Sequence, residues 1–375
     1  GDVLYTMDNS RALRSILVAN GSLTALDSLT LSDGGGKLFV GGGIAYIGTT
    51  DELSQGFLTV NVSDPANLTL ISDVDAINTV GQGLAANGSG LLVTVGRVYQ
   101  FMQGYVDALD LSSVGDPADT GNFLSRIPLP SAPKDIALAD GIAFVADGSG
   151  GLQIVNYIGF DTQGVAPAVS ISVDGIDADP NTNGVQVLEG RSVRVLPIVS
   201  DDVQVRNVEL LVNGQVVSND VSFPFEMFAQ TPTIAQGGGT LSIQVRATDT
   251  GGNTALSNVV TLQVVPDTFA PELVSTSLAE GDRRFFVKSI DLRFDEPLDT
   301  ARIDASGISL VRAGADGLFG TADDVSETVT LDFRAQGQLV SILPSGYLLP
   351  GDYELRVDHN LIADRPGNVL VDDIV

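Results

Sequence analysis

The 375-residue sequence predicts an all-β protein, a partial region of repeated four-stranded units followed by two β-sandwiches. Three observations predict it. Forty-two Gly and 38 Asp supply tight turns throughout the chain. Related short strands recur about every 47 residues through the first 160. Beyond them, apolar runs of period two return every 10–15 residues.

Composition narrows the chemistry. With 43% hydrophobic residues the chain can form real cores. A net charge of −28 opposes the basic footprint that nucleic-acid binding needs. No run approaches the ~18 apolar residues of a bilayer span, so no membrane insertion is expected. The absence of Cys excludes disulfides, zinc thiolates, iron–sulfur clusters and cysteine nucleophiles. Asp outnumbers Glu 38 to 9, and Arg outnumbers Lys 16 to 3. Such acidity suits a salty or calcium-rich extracellular medium, where screening and bound cations relieve self-repulsion. A genomic compositional bias is the alternative.

Gly1-Asp-Val-Leu-Tyr5 has neither a basic n-region nor a long apolar h-region, and Val371-Asp-Asp-Ile-Val375 carries no anchor. The expectation is a processed product or a fragment of a longer chain.

Residues 1–163 carry the repeat. Gly56-Phe-Leu-Thr-Val-Asn-Val62, Gly104-Tyr-Val-Asp-Ala-Leu-Asp-Leu111 and Gly151-Leu-Gln-Ile-Val-Asn-Tyr157 align, with leading glycines 48 and 47 residues apart. Short strands precede each, at Ile44–Ile47, Leu91–Val95 and Ile142–Val145. Asp-Pro turns follow the first two, at Asp64-Pro65 and Asp116-Pro117, and a weaker fourth copy begins near Val18-Ala-Asn-Gly-Ser22. This period reads as β-propeller blades. Val145-Ala-Asp-Gly-Ser-Gly-Gly-Leu-Gln-Ile-Val155 resembles the bacterial LVIVD-type propeller repeat. A closed ring takes about four blades or more, and this region holds three to three-and-a-half. Further blades are expected upstream of Gly1, and an open stack is the alternative. An irregular sandwich is the rival architecture.

Residues 164–267 begin at Ala166-Pro167 and hold strands near 169–173, 192–198, 208–212, 225–228, 241–247 and 259–265. Leu241-Ser-Ile-Gln-Val-Arg-Ala247 alternates cleanly, and Asn213-Gly214 signals a two-residue hairpin. Six or seven strands in about 100 residues imply an immunoglobulin-like sandwich. Ser200-Asp-Asp-Val-Gln-Val205, Val208-Glu-Leu-Leu-Val-Asn-Gly214 and Ala247-Thr-Asp-Thr-Gly-Gly-Asn-Thr254 resemble bacterial Ig-like and cadherin-like modules of secreted proteins.

Residues 268–375 contain Ile290-Asp-Leu-Arg-Phe-Asp-Glu-Pro-Leu298, Gly351-Asp-Tyr-Glu-Leu-Arg-Val357 and Ala363-Asp-Arg-Pro-Gly-Asn-Val369. They resemble a second bacterial Ig-like domain, of the type found in tandem in S-layer proteins. The short linkers Ala166-Pro167 and Val265-Pro-Asp-Thr-Phe-Ala-Pro271 should hold neighbouring sandwiches semi-rigidly.

The candidate sites are acidic. Gly314-Ala-Asp-Gly-Leu-Phe-Gly-Thr-Ala-Asp-Asp-Val325 places Asp316, Asp323 and Asp324 within nine residues, bent by glycines. Calcium takes about six to eight hard oxygens from carboxylates and turned carbonyls, and this loop offers both. A solvated hairpin tip is the plain alternative. Cadherin-like resemblance implies a second calcium site, with Glu189 of Glu189-Gly190, Asp201, Asp202 and Asp249 as ligands by order and type. The alternative there is turn residues at sandwich corners. Asp177-Ala-Asp-Pro-Asn-Thr-Asn-Gly184 departs from a calcium loop at Thr182 and Leu188, and reads as a plain loop.

Catalysis finds little support. His359 is the sole imidazole, and no Gly-x-Ser-x-Gly elbow exists. Gly34-Gly-Gly-Lys-Leu38 has Leu38 where a phosphate loop needs Ser or Thr. With no Trp and 6% aromatics, a sugar-cleaving cleft lacks its platforms. The expectation is therefore a non-enzymatic extracellular structural or adhesive component of a bacterial surface layer, fibre or large surface protein, stiffened by calcium. Its partners would be other surface subunits, possible copies of itself as a polymer, or matrix glycans. A glycan- or protein-binding module, or the non-catalytic part of a secreted hydrolase, stays open.

Overall fold

The computed structural model describes residues 3–19, 22–49, 56–74, 80–100, 104–174, 177–179, 181–303 and 307–371. Among them the regular elements are β-strands and short 3-10 turns, and no helix is long and apolar enough to cross a membrane. The all-β expectation holds. The chain forms two compact units. The first comprises Gly1–Val173, Val195–Met227 and Ile243–Val260, and the second Asp174–Arg194, Phe228–Ser242 and Thr261–Val375.

In the first unit, four antiparallel sheets follow one another along the chain. Val3–Met7, Ala12–Ala19 and Ser22–Thr30 make a three-stranded sheet. Gly35–Gly41, Ile44–Thr49, Phe57–Asn61 and Thr69–Ser72 make a four-stranded meander. Gly83–Ala86, Leu91–Gln100, Gly104–Ser113 and Phe123–Pro128 repeat it, and Asp135–Ala139, Ile142–Ala146 and Leu152–Val155 give a three-stranded version. The fourth copy expected near Val18 corresponds to the first sheet, although Asn20 and Gly21 of that stretch lie outside the described residues.

The repeat is physical as well as textual. Gly56, Gly104 and Gly151 all adopt positive φ, at 121°, 79° and 78°, where a Cβ would be strained. Asp64 and Asp116 cap equivalent turns, their Oδ1 atoms accepting from the amides of Ala66 and Ala118 at 3.0 and 2.9 Å. Successive sheets are latched alike: Ser15 Oγ donates to the Pro65 carbonyl at 2.5 Å, and Thr59 Oγ1 to that of Pro117 at 2.6 Å. Val60, Leu58 and Ile47 fill one core with Leu13, while Val93, Leu109, Ile136 and Val145 fill the next.

The same unit holds the hairpin Val205–Val212 and Gln215–Asp220, turned at Asn213 (φ 50°) and Gly214 (φ 77°) as the Asn-Gly signal requires. Its first strand pairs along Thr240–Asp249 from Val205↔Asp249 to Val212↔Ile243. Leu241, Ile243, Val245 and Ala247 are buried in alternation, as predicted. Phe223 stacks on Phe39 with centroids 6.2 Å apart and occupies the space that a Cβ on Gly41 or Gly88 would need.

In the second unit, Leu273–Thr276, Ile290–Phe294, Leu339–Pro344 and Val329–Arg334 form a four-stranded sheet. Val325–Glu327, Ile308–Arg312 and Tyr353–Val357 form a three-stranded one. Leu292, Phe294, Val340 and Ile342 of the former share a core with Ile308, Leu310 and Val357 of the latter. Val185–Leu188 pairs in parallel with residues 262–265 in this unit, in register Val185↔Leu262.

Candidate metal centres

The loop of Asp316, Asp323 and Asp324 uses its carboxylates on its own backbone. Asp323 Oδ2 accepts from the amides of Ala315 and Asp316, at 2.7 and 3.4 Å, and Oδ1 from Thr321 Oγ1 at 2.8 Å. The Thr321 bond is the main cause of an Asp323 carboxyl held below its usual range. Asp316 Oδ1 accepts from Leu318 N, and Asp324 Oδ2 from Gly320 N. Asp324 also lies 3.8 Å from Arg356 Nη2. These three residues are not among the acidic trios whose ligand atoms gather within 4.8 Å.

Two trios do gather among the described residues. The first joins Asp161, Asp201 and Asp249 in the first unit. Asp249 is fully buried at the end of its strand, and its two oxygens accept from Asn253 N and Nδ2 at 2.8 and 2.9 Å. Asp201 Oδ2 accepts from the amides of Val203 and Gln204, while its buried Oδ1 has no hydrogen-bond partner. Burial, with Asp202 and Asp249 nearby, raises the Asp201 carboxyl above its usual value. Asp161 Oδ1 accepts from Gln163 N.

The second trio is Asp267, Glu296 and Asp364, in the second unit, each 5% exposed or less. Asp267 follows the strand Val260–Val265, and Glu296 follows Ile290–Phe294. Asp364 is placed by its bridge to Leu298. Arg191 serves two of them, with Nε 2.8 Å from Asp267 Oδ2 and Nη2 3.2 Å from Glu296 Oε2. Neutral donors hold the third: Asp364 accepts from Gly367 N, Asn368 N and Asn368 Nδ2. Asn368 Nδ2 also donates to the Asp267 carbonyl at 3.2 Å. Burial pushes the Glu296 carboxyl up to about 8, opposed by Arg191 and reinforced by Asp267 and Asp364. Its Oε1 is buried and accepts no hydrogen bond.

Of the residues read from sequence as one cadherin-like set, Asp201 and Asp249 come together. Asp202 is exposed. Glu189 belongs to the second unit, where its carboxylate accepts from Ile234 N at 2.6 Å and Asp267 N at 3.3 Å. Asp161 carried no sequence signal beyond its place before the Ala166-Pro167 linker. Asp267, Glu296 and Asp364 each sat inside a stretch used to delimit a domain, so their shared destination was hidden. In the stretch expected to be a plain loop, Asp177 and Asp179 bind neighbouring amides, and Pro180 lies outside the described residues.

Residues 36–76 and 132–156 match the LVIVD repeat family. They cover the four-stranded Gly35–Ser72 sheet and the sheet ending at Val155. The chain is a β-rich repeat protein. No curated protein matches it. Fibronectin(III)-like modules of Clostridium thermocellum CbhA are similar at 19% identity over 26% of this chain and 98% of theirs, with a TM-score of 0.21. BamB from Moraxella catarrhalis is similar at 10% identity over 92% and 82%, with a TM-score of 0.27. Sqt1 of Saccharomyces cerevisiae gives 10%, 79% and 79%, with a TM-score of 0.28.

Proposed function

We propose that this repeat protein is a non-enzymatic structural or adhesive component of a bacterial surface layer, fibre or large surface protein, extracellular and stiffened by calcium. In this reading, immunoglobulin-like sandwiches at 164–267 and 268–375 follow the blades. The observation that carries it is the meeting of Asp161, Asp201 and Asp249 from three separate segments, with an Asp201 oxygen buried and unbonded. Three carboxylates so placed repel one another unless a cation joins them. Extracellular modules bind calcium at about 10⁻⁴–10⁻³ M, and a site at one hundred times its dissociation constant adds about 2.7 kcal/mol of stability.

Scanning calorimetry in calcium, in EDTA, and in EDTA with magnesium tests this. Calcium alone is expected to raise one transition, and Asp249→Asn to remove the rise. A matched Asp323→Ala/Asp324→Ala variant shows whether the 314–325 loop contributes. Superimposed traces for the unmodified chain would sink the calcium-stiffened reading.

A second reading, a glycan-binding module, is supported by one surface feature. Tyr99 and Tyr105 are about half exposed, pack edge to face at 5.4 Å, and have Arg97 6.0 Å from the Tyr105 ring. Such a pair offers the apolar face of a sugar ring an aromatic platform beside a cation. Flat binding of matrix polysaccharides, unchanged by Tyr99→Ala, would remove it.

A further inference from the structure

The second unit's buried trio invites a question that does not depend on the surface-protein reading. Burying three acids is costly unless their charge is met, and a single guanidinium reaches two of them. Asp364 receives only neutral donors in the bonds that hold it. Glu296 is 1% exposed, and its Oε1 is buried with no hydrogen bond.

We infer that Asp267, Glu296 and Asp364 form a site for a hard divalent cation, with calcium the best match and Glu296 Oε1 the oxygen held in reserve for it. All donors are carboxylate oxygens, which select hard cations over zinc or copper. The ligand atoms lie within 4.8 Å of one another. Magnesium usually keeps several waters and takes one or two carboxylates, whereas calcium accepts a cage of protein oxygens. Three buried carboxylates therefore favour calcium.

The site's supports are already built. Gly367 N and Asn368 N fix Asp364, Phe269 N fixes Asp267 Oδ1, and Asn368 Nδ2 ties the backbone of one ligand to the carboxylate of the other. The ligands come from the stretch after Val265, the stretch after Phe294 and the stretch after Ile362. A cation here would pin these three segments of the second unit together, with Arg191 as an internal competitor for Asp267 and Glu296.

The test is equilibrium dialysis of the whole chain against radioactive calcium, with Glu296→Gln and Asp249→Asn variants shown by circular dichroism to be folded. Glu296→Gln keeps the shape and removes the charge. It is expected to lose one bound equivalent, and Asp249→Asn to retain that equivalent. A Glu296→Gln protein that binds as many equivalents as the unmodified chain overturns the inference. Should the variant fail to fold, crystals of the unmodified chain soaked in manganese answer by position. An anomalous peak among the three carboxylates supports the site, and a map without one there overturns it. Because Asp249 lies in the first unit, an Asp249→Asn protein that keeps the full calcium shift would count against the proposed function and leave this site standing.

Discussion

Arg191 Nη2 lies 3.2 Å from Glu296 Oε2, while Nε of the same guanidinium lies 2.8 Å from Asp267. One cation thus serves two acids that are almost wholly buried. Removing one partner of a buried pair costs about 3–5 kcal/mol, because the charge left behind has no solvent. Arg191→Met is therefore expected to lose about 3 kcal/mol of stability in EDTA. It should regain part of this in roughly 5 mM calcium, where the competitor for the site is gone. Chemical denaturation under both conditions measures it, and an equal loss in each would show that calcium does not substitute for the guanidinium.

Asp110 presents a simpler pairing in the first unit. It is fully buried, accepts both Nε and Nη2 of Arg126 at 2.6 Å, and takes the amide of Val80 at 3.0 Å. A bidentate pair of this kind is rigid as well as strong. Asp110→Ala removes the bidentate acceptor of Arg126 and the acceptor of the Val80 amide, so a loss of about 3–5 kcal/mol is expected. The double variant Asp110→Leu/Arg126→Met should recover much of it, since apolar replacement of both partners is often neutral. Urea midpoints of the two variants decide the matter.

The repeated sheets were legible because their signals are local. Positive φ at Gly56, Gly104 and Gly151, and the turns of Asp64 and Asp116, need only neighbouring residues, so the sequence repeats them visibly. The alternation at Leu241–Ala247 and the Asn213-Gly214 turn were readable for the same reason. The sites were less so. Asp161 reaches Asp249 only through tertiary packing, and Asp267, Glu296 and Asp364 are joined across nearly one hundred positions. Conversely, Asp316, Asp323 and Asp324 are close in sequence, yet their oxygens turn to separate amides of the loop. Sequence proximity measures turn chemistry better than it measures convergence.

Close approach of backbones gives a third expectation. A Cβ on Gly48 would stand 1.7 Å from the carbonyl oxygen of Gly81, and one on Gly36 would stand 2.5 Å from that of Gly48. These contacts are with backbone, which cannot swing aside as a side-chain tip can. Gly48→Ala is thus expected to cost about 3 kcal/mol or more, at or beyond the upper end for overpacking. Gly115→Ala, where nothing lies within 4 Å, should cost little. Thermal midpoints of the two variants measure the contrast, and similar values would contradict the close approach.

Tyr157 supplies the pH dependence. Its hydroxyl donates to Gln204 Oε1, whose amide in turn donates to the Gly141 carbonyl at 3.1 Å. Burial pushes the phenol up to about 12 from an ordinary 10. The folded state thus keeps a proton that the unfolded chain has already lost. Stability from this group is complete below pH 10 and is lost as the pH climbs toward 12. Within that window each pH unit removes up to about 1.4 kcal/mol. Tyr157→Phe gives up the Gln204 bond, which costs about 1 kcal/mol at neutral pH, but it has no proton to lose. Its disadvantage should therefore shrink and then reverse between pH 10 and 12. Urea unfolding of both proteins across that range measures the crossing. Parallel curves would mean that the phenol is no harder to ionise in the folded protein than in the unfolded chain.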